Sequence, residues 1–291
     1  MYCVQISVLR LNFRLTFALT PAVEDNRITN YCDSTTQILN NLLSYCDTAL
    51  KTTVKDPSRA SVLTDLAKSV CALENFVRGY QWIDDPSLDT DDEILNWAFA
   101  EMPTDFSSAI WLLASGFYKA SASSLRNALD ISTASLYFQI RQNTDPAIGN
   151  YNHFFAEWDR GDRQTPAWRE MKPFIRLQPS VASFRAKTGI DIVEQAYDQF
   201  RYLCAYTHTS AFAPNGDPVT AINMTGVAPT FDERFFVRGC ELTSKTVSII
   251  AMLWQVTFPQ IITTEPLGSL SSGAYSDLFP PPTGPLTLSH R

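Results

Sequence analysis

The stretch from Thr104 to Asn143 constrains the fold more than any other part of the chain. No proline occurs between Pro103 and Pro146. Across that span Ile110, Leu113, Phe117, Ala120, Leu125, Leu129, Thr133, Leu136, Phe138 and Ile140 recur at helical spacing. An apolar stripe this wide exceeds what a surface helix buries, so the spacing predicts one long, mostly buried helix. Pro103 stands at its start, where a missing N–H costs nothing. Inside the stripe Arg126 and Asp130 lie four residues apart, on one face, and are expected to be buried and paired. Such a pair has two readings. It is either an ion pair that sets helix register, or a phosphate-binding arginine oriented by a carboxylate.

Helical periods also dominate the rest of the chain. Ile38, Leu39, Leu42, Leu43, Cys46 and Leu50 mark a helix from about Asp25 to Val54, and Ser58 is placed to cap the next, which runs to about Tyr80. An acidic turn, 84–92, precedes a short helix carrying Ile94, Leu95 and Trp97. Beyond the long helix, 147–160 reads as a short helix. Thr165 and Pro166 fit the cap and first position of another, with Trp168, Met171, Phe174 and Ile175 on its apolar face. A further short helix, about Val181–Lys187, is closed by Gly189. Residues 191–210 form an amphipathic helix with Ile192, Ala196, Phe200, Leu203 and Cys204 inward, and Asp232 caps a last helix to about Ile262.

The expected fold is therefore all-α: a single-domain helical bundle of about seven to nine helices around a long central one. In 11–19, Leu11, Phe13, Leu15, Phe17 and Leu19 alternate with other residues, the period of a short N-terminal β-strand, and 219–227 is the other strand-like stretch. An unstructured extension is the alternative. The domain reading is an N-terminal extension at 1–24, a helical bundle at 25–265 and a proline-rich disordered tail at 266–291.

Composition narrows the chemistry. A net charge of −7 and a pI near 5.0 argue against a broad electrostatic grip on nucleic acid or anionic membrane, though not against a small basic site. The six cysteines form no CxxC pair and there are three histidines, so zinc-ligand spacing is absent, and no cofactor or metal is implied. The cysteines mostly fall on apolar helix faces, which fits a reducing, cytoplasmic setting. No apolar run approaches the ~18 residues of a membrane span, and Arg14 interrupts any signal-peptide core. Dinucleotide-binding, Walker, HExxH and GxSxG motifs do not occur.

The sharpest chemical pattern is RYLCAYTH, with Arg201 and His208 seven residues apart. Nearly two helical turns place both side chains on one face, about 10 Å apart along the axis. Arginine can fork onto a phosphate and histidine can exchange a proton near neutral pH, a pair suited to metal-independent RNA cleavage by the 2′-hydroxyl. Tyr202, Tyr206 and Thr209 add hydroxyls for substrate binding beside Arg126 and Asp130, with Lys119 and Ser123 upstream. The plain alternative is an ordinary helix end with a histidine favoured by the helix dipole. Trp158, Thr165, Pro166 and Trp168 are candidates for base stacking or for core packing. His153 and His290 have no partner spacing.

The segments GFYKASASSLRNALDISTASLYF (116–138), WDRGDRQTP (158–166) and YLCAYTHTS (202–210) resemble a family of uncharacterised bacterial helical proteins. The matching residues are Gly116, Tyr118, Arg126, Asp130, Thr165, Pro166, Tyr202, Leu203, His208 and Thr209, with Asp130 where such proteins usually carry Glu. The late Arg–His helix also resembles the motif of HEPN domains, small and often dimeric α-bundles, many of them ribonucleases of toxin–antitoxin or phage-defence systems. The resemblance implies a metal-independent endoribonuclease with Arg201 and His208 as its catalytic pair, RNA as substrate, and an antitoxin or defence-system partner. A homodimer through helices 191–210 and 232–262 is expected, with no membrane partner. The competing reading is a non-catalytic helical module in which Arg126, Asp130 and His208 hold the core or a small anionic ligand.

Overall fold

The computed structural model describes residues 26–81, 93–144, 155, 157–158, 160–207, 229 and 231–258. The proposed strands at 11–19 and 219–227, the acidic turn, most of 147–160 and the proline-rich tail lie outside the described residues. Within them 87% of the chain in well-defined regions is helical, in eight helices, with no strand or sheet. The all-α expectation holds there. The helices are α1 (Asn26–Lys55), α2 (Pro57–Gln81), α3 (Glu93–Ala114), α4 (Tyr118–Thr144), α5 (Trp168–Arg176), α6 (Pro179–Thr188), α7 (Ile192–Thr207) and α8 (Glu233–Thr257).

Spatially the chain divides into two units, 1–41 and 42–291. The described part of the first is the opening of α1, where Gln37, Leu39, Asn40 and Asn41 are exposed. The second unit holds everything else that follows.

The stretch expected to form one long helix is instead a helical hairpin. Gly116 adopts φ 82°, the left-handed conformation that L side chains resist. Gly116 N–H donates to Leu113 O at 3.2 Å and Phe117 N–H to Leu112 O at 2.8 Å, the pattern of a Schellman helix stop. α4 then packs back along α3, and Ser121 Oγ donates to Ala109 O at 2.8 Å. The apolar period runs unbroken through the turn because both arms of the hairpin face one core. Pro103 lies inside α3 rather than at a helix start, since the short helix expected near Ile94 is continuous with α3.

Two helix starts also differ from expectation. Asp56, not Ser58, caps α2: its carboxylate accepts from Ser58 N–H at 2.8 Å and Arg59 N–H at 3.3 Å, with Pro57 at the first helical position. α5 begins two residues later than expected, behind Ala167, which offers no side-chain cap, and the Thr165 hydroxyl accepts instead from Trp158 Nε1 at 3.1 Å. Asp232 does cap α8, accepting from Arg234 N–H at 2.9 Å and Phe235 N–H at 3.3 Å. Gly189, at φ 74°, closes α6.

α4 is the centre of the second unit. Leu125, Ala128, Leu129, Ala134 and Leu136 are essentially inaccessible, and α3, α7 and α8 surround them. The small buried Ser132 Oγ accepts from Trp254 Nε1 of α8 at 2.7 Å, and Gln199 Nε2 of α7 donates to Thr246 Oγ1 of α8 at 3.0 Å. α3 and α8 approach closely at Gly239, where an added methyl group would collide with the buried Leu113.

Asp105 on α3 is partly buried one turn from Glu101, and burial first, then repulsion by Glu101, pushes its carboxyl up to about 6. A carboxyl whose folded pKa exceeds its unfolded value destabilises the folded state once ionised, and that cost fades as pH falls through 6 toward the unfolded value. Wild-type stability is therefore expected to rise between pH 7 and pH 5 by about 1 kcal/mol more than that of Asp105→Asn, after discounting for solvent screening. Parallel urea titrations of the two proteins check this; identical pH dependence would show Asp105 to be unperturbed.

Candidate functional site

The site is built on α7, which lies between α4 and α8 with α5 across one flank. Asp191 starts α7: its carboxylate accepts from Glu194 N–H at 3.0 Å and pairs with Arg176 of α5 and with Arg185 of α6 at 3.4 Å. Lys172 of α5 pairs with Glu194 at 2.7 Å. These contacts hold Asp191 below the usual carboxylate range despite its burial, with the Arg176 bond the largest cause acting downward.

Of the residues expected to face the core, Ile192, Ala196 and Leu203 are buried, while Phe200 and Cys204 are only partly so. The latter two face Arg126 and Asp130 of α4. Arg126 and Asp130 do pair, at 3.4 Å, but their side chains keep 31% and 20% of their exposure, so the pair is partly rather than largely buried. That separation is longer than the ~2.7–2.9 Å of a charge-assisted hydrogen bond. Arg126 Nε is shut off from solvent with no hydrogen-bond partner, and the guanidinium carbon sits 5.3 Å from the centre of the Phe200 ring. The Cys204 thiol lies beside both: burial pushes it up, Arg126 pulls it down and Asp130 pushes it up.

Asp130 has a second partner that spacing alone did not indicate. Trp168 Nε1, at the start of α5, donates to Asp130 Oδ1 at 3.1 Å. Burial raises the Asp130 carboxyl, against the opposing pull of Trp168 and Arg126. The Trp168 ring is buried and packs on Tyr197 and Phe200 with centroids 5.6 and 5.2 Å away. Trp168 thus joins the Arg126–Asp130 pair, as core packing rather than as an open stacking platform. Trp158 and Thr165 bond to each other, with Trp158 against Phe138 and Phe155. Lys119 and Ser123 are partly buried, and no side-chain hydrogen bond or ion pair joins either to Arg126 or Asp130.

Arg201 is exposed on the outer ridge of α7, its guanidinium 5.8 Å from the centre of the Tyr197 ring. The Lys172 ammonium lies 4.4 Å from the centre of the same ring. His208 and Thr209 follow the end of α7 and lie outside the described residues, as do His153 and His290. Tyr202 and Tyr206 do not share the Arg201 ridge. Tyr206 is buried, and the two hydroxyls, 3.1 Å apart, face Arg238 of α8, which donates to Tyr202 OH from Nη2 at 2.7 Å. Arg238 is the site residue that spacing did not single out, while Phe200 was expected only as a core residue. The visible signal for Arg238 was its place six residues past the Asp232 cap, on the same helix.

Arg126 and Arg201 are each chemically suited to an anion, and His208, the residue suited to proton transfer, lies outside the described residues. Among the described residues no group of three or more His, Cys, Asp or Glu side chains could hold a metal ion, and no helix is long and apolar enough to cross a membrane. Comparison with family models, curated proteins and solved structures gives no match.

Proposed function

We propose that this protein is a helical binding module for an anionic ligand, with Arg126 of α4 as its principal cation and the exposed Arg201 of α7 as a second. One observation carries the reading. Arg126 is a half-buried guanidinium whose only carboxylate partner among the described residues stands at a loose 3.4 Å and whose Nε has no acceptor. Beyond Asp130 the guanidinium meets only the Cys204 thiol, a weak partner, and an incompletely bonded cation at that depth gains from an incoming oxyanion. The net charge of −7 adds no long-range attraction, so recognition is local.

A second reading is the metal-independent endoribonuclease, favoured by the exposure of Arg201 on a helix that leads directly into His208. There Arg201 would stabilise phosphate charge while His208 transfers the proton. Such an enzyme would serve a stress, toxin–antitoxin or antiviral defence system.

Labelled single-stranded RNA with chelator present separates the two. The binding module retains RNA uncut, and Arg126→Ala and Arg201→Ala each weaken it about tenfold. The ribonuclease cuts, and His208→Ala and Arg201→Ala each slow cutting at least ~100-fold. Cutting that survives both substitutions belongs to another site. RNA and inorganic phosphate both ignored by the wild type would overturn both readings.

A further inference from the structure

The loose pairing of Arg126 has a cause in its surroundings. An arginine four residues before an aspartate on one helix can close a side-on fork. Nε and one terminal nitrogen then donate to the two carboxylate oxygens, at about 2.7–2.9 Å each. In α4 that fork is half drawn. Arg126 Nη2 stands 3.4 Å from Asp130 Oδ2, and Arg126 Nε is shut off from solvent with no acceptor. The oxygen that would complete the fork, Asp130 Oδ1, accepts instead from Trp168 Nε1 at 3.1 Å.

Trp168 can hold the carboxylate because its own ring is fixed. The ring is buried and packs on Phe200 and Tyr197 of α7, with centroids 5.2 and 5.6 Å away. One turn further along α5, Lys172 pairs with Glu194 at 2.7 Å, and one turn beyond that Arg176 pairs with Asp191. Packing and two ion pairs thus tie α5 to the residues of α7 and its start, and they fix where the indole N–H is offered to α4. Phe200 backs the guanidinium as well, its ring centre 5.3 Å from the guanidinium carbon. A buried indole N–H without an acceptor is costly, so Trp168 competes with Arg126 for Oδ1 and, in this arrangement, wins it.

We propose that Trp168 is the positioning residue of this site: by holding Asp130 Oδ1 it keeps the carboxylate from closing on Arg126 and leaves the guanidinium open to an external oxyanion. The hold on Asp130 stands on the geometry of the three side chains, and its consequence for binding rests on the anion-binding reading of Arg126.

Two measurements on the full chain test this. The first is a double-mutant cycle of Arg126→Met and Asp130→Asn by urea unfolding, run in the wild type and in Trp168→Phe, which keeps a ring and removes the N–H. Without the indole the fork closes. The Arg126–Asp130 coupling, expressed as a factor in the unfolding equilibrium constant, should then rise at least ~5-fold. Unchanged or weaker coupling overturns the proposal. The second is titration with inorganic phosphate at constant ionic strength. Trp168→Phe should bind at least ~10-fold more weakly than the wild type, and adding Asp130→Asn to it should restore wild-type affinity, because an amide cannot neutralise the guanidinium. A loss that Asp130→Asn does not restore would make Trp168 a packing residue only, against the proposal. Asp130→Asn alone, which leaves Trp168 untouched, should bind phosphate at least as well as the wild type, and a tenfold loss there also overturns it. If the coupling rises but the wild type ignores phosphate, the anion-binding reading fails while the hold of Trp168 on Asp130 is upheld.

Discussion

Replacing Trp254 by alanine is expected to remove about 3–5 kcal/mol of folding free energy, the usual cost of truncating a large buried aromatic. Trp254 is 1% exposed and stands three residues before the end of α8, where its ring packs on Phe258 with centroids 5.9 Å apart. Its indole N–H reaches Ser132 Oγ of α4 at 2.7 Å, the polar clasp between these two helices. Alanine would leave both a cavity and a buried hydroxyl without its donor. Trp254→Phe keeps most of the volume and loses the bond, so its cost should fall to about 1–3 kcal/mol. Ser132→Ala should cost a similar amount, because the indole N–H is then the orphan. Urea unfolding of the three variants with unchanged slope checks the series. An alanine variant within 1 kcal/mol of wild type, on the ~1 kcal/mol scale of ordinary substitutions, would mean that α8 does not pack on α4 as described.

The second large effect is expected at Asp130. Asp130→Ala takes away the acceptor of the Trp168 indole N–H and the counter-charge of Arg126 in one step. A fully buried pair broken this way costs about 3–5 kcal/mol. Here 31% and 20% of the two side chains remain exposed, so water screens part of the loss, and about 2–3 kcal/mol is expected. Asp130→Asn can still accept from Trp168 and should cost about 1 kcal/mol. The pH dependence has a definite sign. Burial raises the Asp130 carboxyl above its unfolded value, so its ionised form weighs against the folded state at high pH and that weight lifts as pH falls through the folded pKa. Asp130→Asn should therefore lose less stability at neutral pH than at acid pH relative to wild type. Chemical unfolding at both pH values measures this, and equal loss by the alanine and asparagine variants would show that the Trp168 bond is not formed.

What could be read from the sequence alone was local. Helix period depends on side chains three and four residues apart, so the all-α class, the Asp232 cap, the Gly189 stop and the pairing of Arg126 with Asp130 were all legible before any folding. The turn at Ser115-Gly116 carried a signal, a Ser-Gly step, but the apolar pattern continued through it. Periodicity reports which residues are buried, and it cannot tell one long helix from two that fold back on the same core. The cap of α2 likewise fell to Asp56 rather than to the expected Ser58, since both are capping residue types and the local geometry decided between them.

Tertiary structure decided the partners. Asp130 meets Trp168 across 38 residues, Arg238 meets Tyr202 across 36, and Trp254 meets Ser132 across 122. No spacing rule spans such distances, because helix packing, not chain proximity, brings those atoms together. The same packing turned Tyr202 and Tyr206 away from Arg201, although all three share one short helix. Tyr202 and Tyr206 fall on one side of it and Arg201 on another, and only the positions of α4 and α8 determine which side is groove and which is open surface.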